Sequence, residues 1–255
     1  MLKPNSVFRE LPRALDRKQV LFLDGIGKSY EIAAFAYQRL KEMLTTIANG
    51  DLESASYREL YVLALLDAWA IVDSIDRFSA LYKLLPHSVM RDDTPVAKAE
   101  HETLRKVRDV RNVTDHLAQR MDYIMSKSGA AMGMLTWCTS SPLSKNEVLA
   151  CTLVPGPLGK QSAPMANPVG RTVEMPTGLI AITAGEHTAD LSEAIRIMAD
   201  RVEDIETQLE NQFSQHETAD GEKLSRSRSN LLIVSTISFN RDLPNMKPGE
   251  TSDAS

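Results

Sequence analysis

The chain is predicted to be mainly α: a long helical bundle with a small inserted antiparallel β-sheet, α+β overall. Three observations predict this. Four stretches place apolar residues at alternating three- and four-residue steps. Aromatic residues supply only 5% of the 255 positions, while Ala, Leu, Ile and Met are common, a mix that suits helix packing better than a sandwich. Between the third and fourth stretches the pattern changes to short apolar runs separated by Pro, Gly, Ser and Asn.

The first helix is expected over residues 28–48, with Ala33, Ala36, Leu40, Met43, Leu44 and Ile47 along its seam. The preceding "VLFLD" (20–24) reads as a strand, and Ser29 as a possible N-cap. The second helix spans 56–85. Its "YVLALLDAWAIV" is apolar almost all round, which predicts a place in the centre of the bundle. Pro86 ends it. The third spans 95–126, with Leu104, Val107, Val110, Thr114, Leu117, Met121 and Ile124 as a bundle seam. The fourth starts near Asp190, which can cap with Glu193 three residues on. "GMLTWCT", "EVLACTLV", "GRTVEM" and "GLIAITA" are the strands of an insert at 130–185, and "NLLIVSTISF" (230–239) is a further strand candidate. Residues 1–240 form one helical-bundle domain on this reading, and 241–255 a disordered tail.

Composition narrows the function classes. With 43% hydrophobic and 25% charged residues the chain is of ordinary globular type. It has no apolar run of membrane-spanning length and no signal-type start, so a cytoplasmic location and no membrane partner are expected. The net charge of −5 excludes coating of nucleic acid by bulk electrostatics. Charge is nevertheless uneven. Five bases stand against two acids from Arg105 to Arg120, and seven acids against two bases from Asp190 to Glu210. Pairing of these two helices is the simplest use of such charge. Cys138 and Cys151 fall on neighbouring strands and read as small hydrophobes.

The familiar chemical motifs are absent or incomplete. "GIGKS" (25–29) follows an apolar run as a phosphate-binding loop would, but Phe22 stands where that loop needs its first glycine. No histidine has Glu three residues before it, and there is no His-Glu-x-x-His or Cys-x-x-Cys. No metal and no cofactor are therefore expected. Asp67, Asp73 and Asp76 lie on the apolar second helix. Asp73 can pair with Arg77 four residues on, while Asp67 needs a partner, for which a base of the third helix is the natural source, for stability or for catalysis.

One stretch offers a catalytic constellation. "VRNVTDHLAQR" (110–120) carries Arg111, Asn112 and His116 on the third helix. Five helical positions subtend about 140°, so Arg111 and His116 converge only through a long side chain, a bend or a second subunit. His116 faces away from the seam. Asp115 and Tyr123 lie close enough in sequence to support such a site, and Asp67 is a further candidate.

"RNVTDH" resembles the HEPN superfamily, helical bundles that carry Arg, four to six residues and His, often with Asn, Asp or His directly after the Arg. The resemblance covers the helical frame and this motif but not the strand insert. It departs from a variant with Tyr two residues after the His, where this chain has Ala118. It implies metal-independent endoribonuclease activity of toxin or defence type, at a site formed between two protomers. His116 would be the acid–base group, Arg111 the phosphate clamp and Asn112 an orienting residue. RNA and a homodimer partner near residues 105–125 follow from it. The competing expectation is a non-catalytic helical scaffold or immunity-type protein that meets a protein partner through the β insert.

Overall fold

A computed structural model describes residues 1–13, 15–50, 55–84, 94–119, 121–126, 130–141, 147–156, 177–220 and 226–228. The elements run β1 (Glu10–Pro12), α1 (Arg17–Asn49), α2 (Ala55–Tyr82), α3 (Pro95–Asp115), a 3-10 turn (Leu117–Gln119), α4 (Met121–Ser126), β2 (Met134–Ser140), β3 (Val148–Leu153), β4 (Thr177–Ala184), β5 (His187–Asp190), α5 (Leu191–Asp220) and β6 (Arg226–Arg228). Long helices with an inserted four-stranded antiparallel sheet are what the sequence predicts. "GRTVEM", residues 230–239 and the tail 241–255 lie outside the described residues.

The first helix starts eleven positions before its expected beginning. Asp16 forms a capping box: its Oδ1 accepts from the Lys18 and Gln19 amides at 2.8 and 2.9 Å, and Gln19 Oε1 accepts from the Asp16 amide at 3.0 Å. "VLFLD" is therefore helical rather than a strand, because a strong cap precedes it. "GIGKS" lies inside α1, and Ser29 is not a cap; its hydroxyl donates to the Gly25 carbonyl at 2.7 Å. Gly27 has a packing role. A Cβ there would stand 3.0 Å from that of Phe8, a fully buried side chain of the N-terminal segment.

The third helix is capped by Thr94 with Pro95 in its first turn, and it stops at Asp115 rather than 126. The Thr114 hydroxyl bonds back to the Arg111 carbonyl at 2.9 Å, and His116 leaves helical geometry at φ −110°, ψ 28°. A back-bonding threonine offers the chain an alternative to the helical ladder. Asp190 does cap the last long helix, its Oδ1 accepting from the Glu193 amide at 2.9 Å.

The sheet order is β3-β2-β4-β5, all antiparallel. Trp137 lies opposite Cys151, and Cys138 opposite Ala150; neither cysteine forms a disulfide. Cys138 is buried and Cys151 half-buried, and burial, then Cys138 nearby, pushes the Cys151 thiol up. The β2–β4 register shifts between Thr136 and Cys138, where Leu179 takes φ 53°; the extra residue sits on β4. Helices and sheet share one apolar core that includes Phe8, Leu40, Ile71, Val107, Ile180 and Met198. β1 pairs with β6, two short strands the sequence did not suggest.

Two expectations about α2 and α3 need correction. The central part of α2 is not enclosed. Ala64, Ala68, Ile71, Val72 and Ile75 are fully buried, but Val62, Leu63 and Leu66 are 66%, 44% and 58% exposed. Nor, among the described residues, do the arginines of α3 meet the acidic face of α5. Arg201 of α5 clasps Glu100 of α3 at 2.7 Å, while Arg105, Arg108 and Arg111 of α3 turn to α2 or to acids of their own helix.

Candidate functional site

The seam of α3 buries Val107, Val110 and Val113, which turns Arg108 and Arg111 toward α2. There they meet Asp73 and Asp76, placed one turn apart on α2. Arg108 Nε donates to Asp76 Oδ1 at 2.6 Å. Arg111 Nη1 donates to Asp76 Oδ2 at 2.7 Å, and Arg111 Nε to Asp73 Oδ1 at 2.8 Å. Asp76 thus bridges two guanidiniums with its two oxygens. Asp115 approaches Arg111 Nε at 3.6 Å, and Arg77 stands 3.9 Å from Asp73. Burial opposes the charge of Arg111, but its hydrogen bonds to Asp73 and Asp76 hold its pKa above the ordinary value. Lys83 nearby is pushed down by burial and by Arg108.

His116 stands apart from this network. It is exposed at the C-cap of α3, with its backbone N–H donating to the Thr114 carbonyl. Among the described residues its side chain makes no hydrogen bond or ion pair. Asn112, four positions earlier, is also exposed. Asp115 is exposed at the same helix end, its side chain 51% accessible. Tyr123 lies on α4 against the β4–β5 turn; a Cβ at Gly185, whose φ is 58°, would stand 2.8 Å from its ring. The structure therefore brings Arg111 and Asp115 together, leaves Asn112 and His116 on the open face, and gives Tyr123 a packing contact.

Asp67 belongs to another place. It is 1% exposed, and its partner is Arg39 of α1 rather than a base of α3. Both Arg39 Nε and Nη2 donate to it, and the guanidinium lies 5.5 Å from the centre of the Phe35 ring. Asp67 pushes the Arg39 pKa up, through the hydrogen bond first and charge second. This pair stands at a cleft of about 480 Å³ whose walls include Ile32, Phe35, Ala36 and Ala70. Arg9, Lys28 and Glu31 form its charged rim, with Glu31 paired to both bases at 3.0 and 2.9 Å.

No family model matches the sequence, and no curated protein or solved structure matches the chain significantly. The HEPN resemblance accordingly rests on "RNVTDH" and the helical frame alone. Among the described residues no group of three or more His, Cys, Asp or Glu side chains could hold a metal ion. No helix among them is long and apolar enough to cross a membrane.

The cleft is the feature that sequence reasoning missed. Its signal was a second periodicity on α1, outside the core seam: Lys28, Ile32, Phe35, Arg39 and Glu42 follow steps of four, three, four and three.

Proposed function

We propose that the chain is a non-catalytic helical scaffold, an immunity-type protein that meets a protein partner through its inserted sheet. The observation that carries this reading is the commitment of Arg111 to Asp73 and Asp76 within the chain. A phosphate clamp needs guanidinium N–H groups free to receive an anion, and a field that favours one. Here Arg108 and Arg111 face Asp73, Asp76 and Asp115. A phosphodiester approaching Arg111 would displace charge-assisted hydrogen bonds, each of which contributes about 1.5–3 kcal/mol when shielded and less at this partial exposure.

The sheet offers a suitable recognition edge. β3 is the outer strand, with Val148, Ala150 and Thr152 exposed, and among the described residues no strand pairs with its other side. An extended peptide of a partner can add to such an edge through main-chain hydrogen bonds.

The metal-independent ribonuclease is the second reading, favoured by Asn112 and His116. They lie four positions apart on an exposed face, and among the described residues the imidazole makes no hydrogen bond or ion pair. That reading requires Arg111 to leave its aspartates and a homodimer to complete the site.

Incubation of the purified protein with RNA in excess EDTA separates the two. The scaffold reading expects no cleavage, and equal growth of cells expressing wild type or His116→Ala. Cleavage leaving 2′,3′-cyclic phosphate, lost in His116→Ala and increased in Asp76→Asn, would replace it with the ribonuclease.

A further inference from the structure

The outward face of the α1–α2 hairpin presents apolar side chains at helical spacing. Ile32 and Phe35 of α1 are 49% and 56% exposed, beside the similarly open Leu63 and Leu66 of α2. These residues do not sit singly on a polar surface. On α2 the outward row Glu59, Leu63, Leu66, Ala70, Asp73, Arg77 follows the same alternation of four and three as the row on α1. Both rows are apolar in the middle and charged at their ends. That is how an interface is built: an apolar centre and a polar rim.

The charges on α1 identify the occupant. From N- to C-terminus the row carries Lys28, then Ile32 and Phe35, then Arg39, then Glu42. A second α1 laid antiparallel across the first, with the two Phe35 residues at the two-fold axis, brings Lys28 opposite Glu42 of the second copy. Symmetry makes that contact twice. Glu31 comes opposite the other copy's Arg39 by the same operation. Each Phe35 then stands over the cleft of the other copy, whose walls of Ile32, Ala36 and Ala70 can receive an aromatic ring. The buried Asp67 fixes Arg39 at that cleft, so the wall is ordered before association.

We infer that this face joins two copies of the chain in an antiparallel, two-fold dimer, with Phe35 of each copy inserted at the cleft of the other. The inference is independent of the scaffold reading. It also concerns a different surface from residues 105–125, where a shared catalytic site would require contact. From Lys28 to Glu42 the face is about 21 Å long and two helices, roughly 20 Å, wide. The total buried area is then on the order of 800–1,000 Å², which places the dimer among weak, reversible assemblies.

Sedimentation of the full chain between about 1 and 200 μM tests this. Wild type should pass from monomer to dimer within that range. Phe35→Asp should remain monomeric throughout with an unchanged circular dichroism spectrum. Lys28→Glu and Glu42→Lys should each weaken association about tenfold, because each sets like charges against one another at both ends of the interface. The decisive sample is an equimolar mixture of those two variants. In the mixed dimer both ends regain opposite charges, so the mixture should associate at least as well as wild type while neither variant does alone. A wild type that stays monomeric to 200 μM overturns the inference and leaves this face to a different protein. A dimer indifferent to Phe35→Asp, or a mixture that does not recover, overturns it too.

Discussion

Toward α3, α2 presents Asp73 and Asp76, and arginines of α3 meet both. About two to three turns before Asp73, along the same stripe of that helix, it presents Val62, Leu63 and Leu66, which remain 44–66% exposed. In sequence these two stretches suggested the reverse. The arginine of "RNVTDH" looked available for chemistry, and the apolar run looked enclosed. A single helical stripe can thus satisfy its charged stretch inside the chain while leaving its apolar stretch for another molecule. A charged side chain at a helix–helix boundary finds its opposite within the fold because an unpaired, half-buried charge is costly. Exposed leucines carry a smaller penalty, and a second surface can remove it later.

Substitutions along α2 distinguish its enclosed, charged and open positions. The largest effect is expected on its enclosed side: Ile75→Ala should lower unfolding free energy by about 3–4 kcal/mol, read from urea midpoints, because it leaves a cavity in a close-packed core. Asp76→Ala comes next, at about 2–3 kcal/mol, since it strands Arg108 and Arg111 without their shared carboxylate. Asp76→Asn keeps a hydrogen-bond acceptor and should fall between that variant and wild type. If Asp76→Ala is neutral, the charged boundary is not structural and Arg111 regains its claim to a free guanidinium.

A pH series sharpens the same point with a buried group near charges of its own eventual sign. Burial, then Glu206, Glu203 and Asp200, raises the Tyr30 pKa above its ordinary 10.0. Folding therefore favours the neutral phenol. Its contribution is fully present below pH 10 and is lost as pH climbs toward the raised folded value. Urea midpoints of wild type should fall relative to Tyr30→Phe above pH 10, with no such divergence between pH 6 and 9. The smallest effect belongs to the open side of α2. Leu66→Gln should change monomer stability by no more than about 0.5 kcal/mol when measured below micromolar concentration.

Much of the fold was legible because apolar periodicity is a local record of burial. The four long helices and three strands of the insert follow from it. The errors have separate physical causes. The Asp16–Gln19 capping box outweighed the strand-like look of "VLFLD". The Thr114 back-bond and the geometry of His116 broke a helix whose seam continued unbroken to Ile124. The candidate site was less legible, since partners across helices are long-range facts. Asp67 was read correctly as a buried acid in need of a base, but nothing near it in sequence pointed to Arg39, 28 residues away. Arg111 was visible only as a motif residue until Asp73 and Asp76 stood opposite it.

Between Thr136 and Cys138 of β2, the paired segment of β4 contains one residue more than its neighbour, and Leu179 adopts φ 53° there. Strand side chains alternate faces with period two, and the bulge absorbs the added residue so that Thr177 still shares a face with Thr139, its partner across the ladder. There its hydroxyl meets those of Thr45 and Thr139 at 2.5 and 3.2 Å. Deletion of Leu179 should therefore keep that pairing and remove only the local kink, whereas an added residue in β2 or β4 outside the bulge should flip the strand beyond it and fail to fold. Insertions after Gly156, where an added Cβ would meet open space, should be accepted. The bulge is thus one unit of slack in the length of β4, taken up by the ladder without changing which side chains face one another.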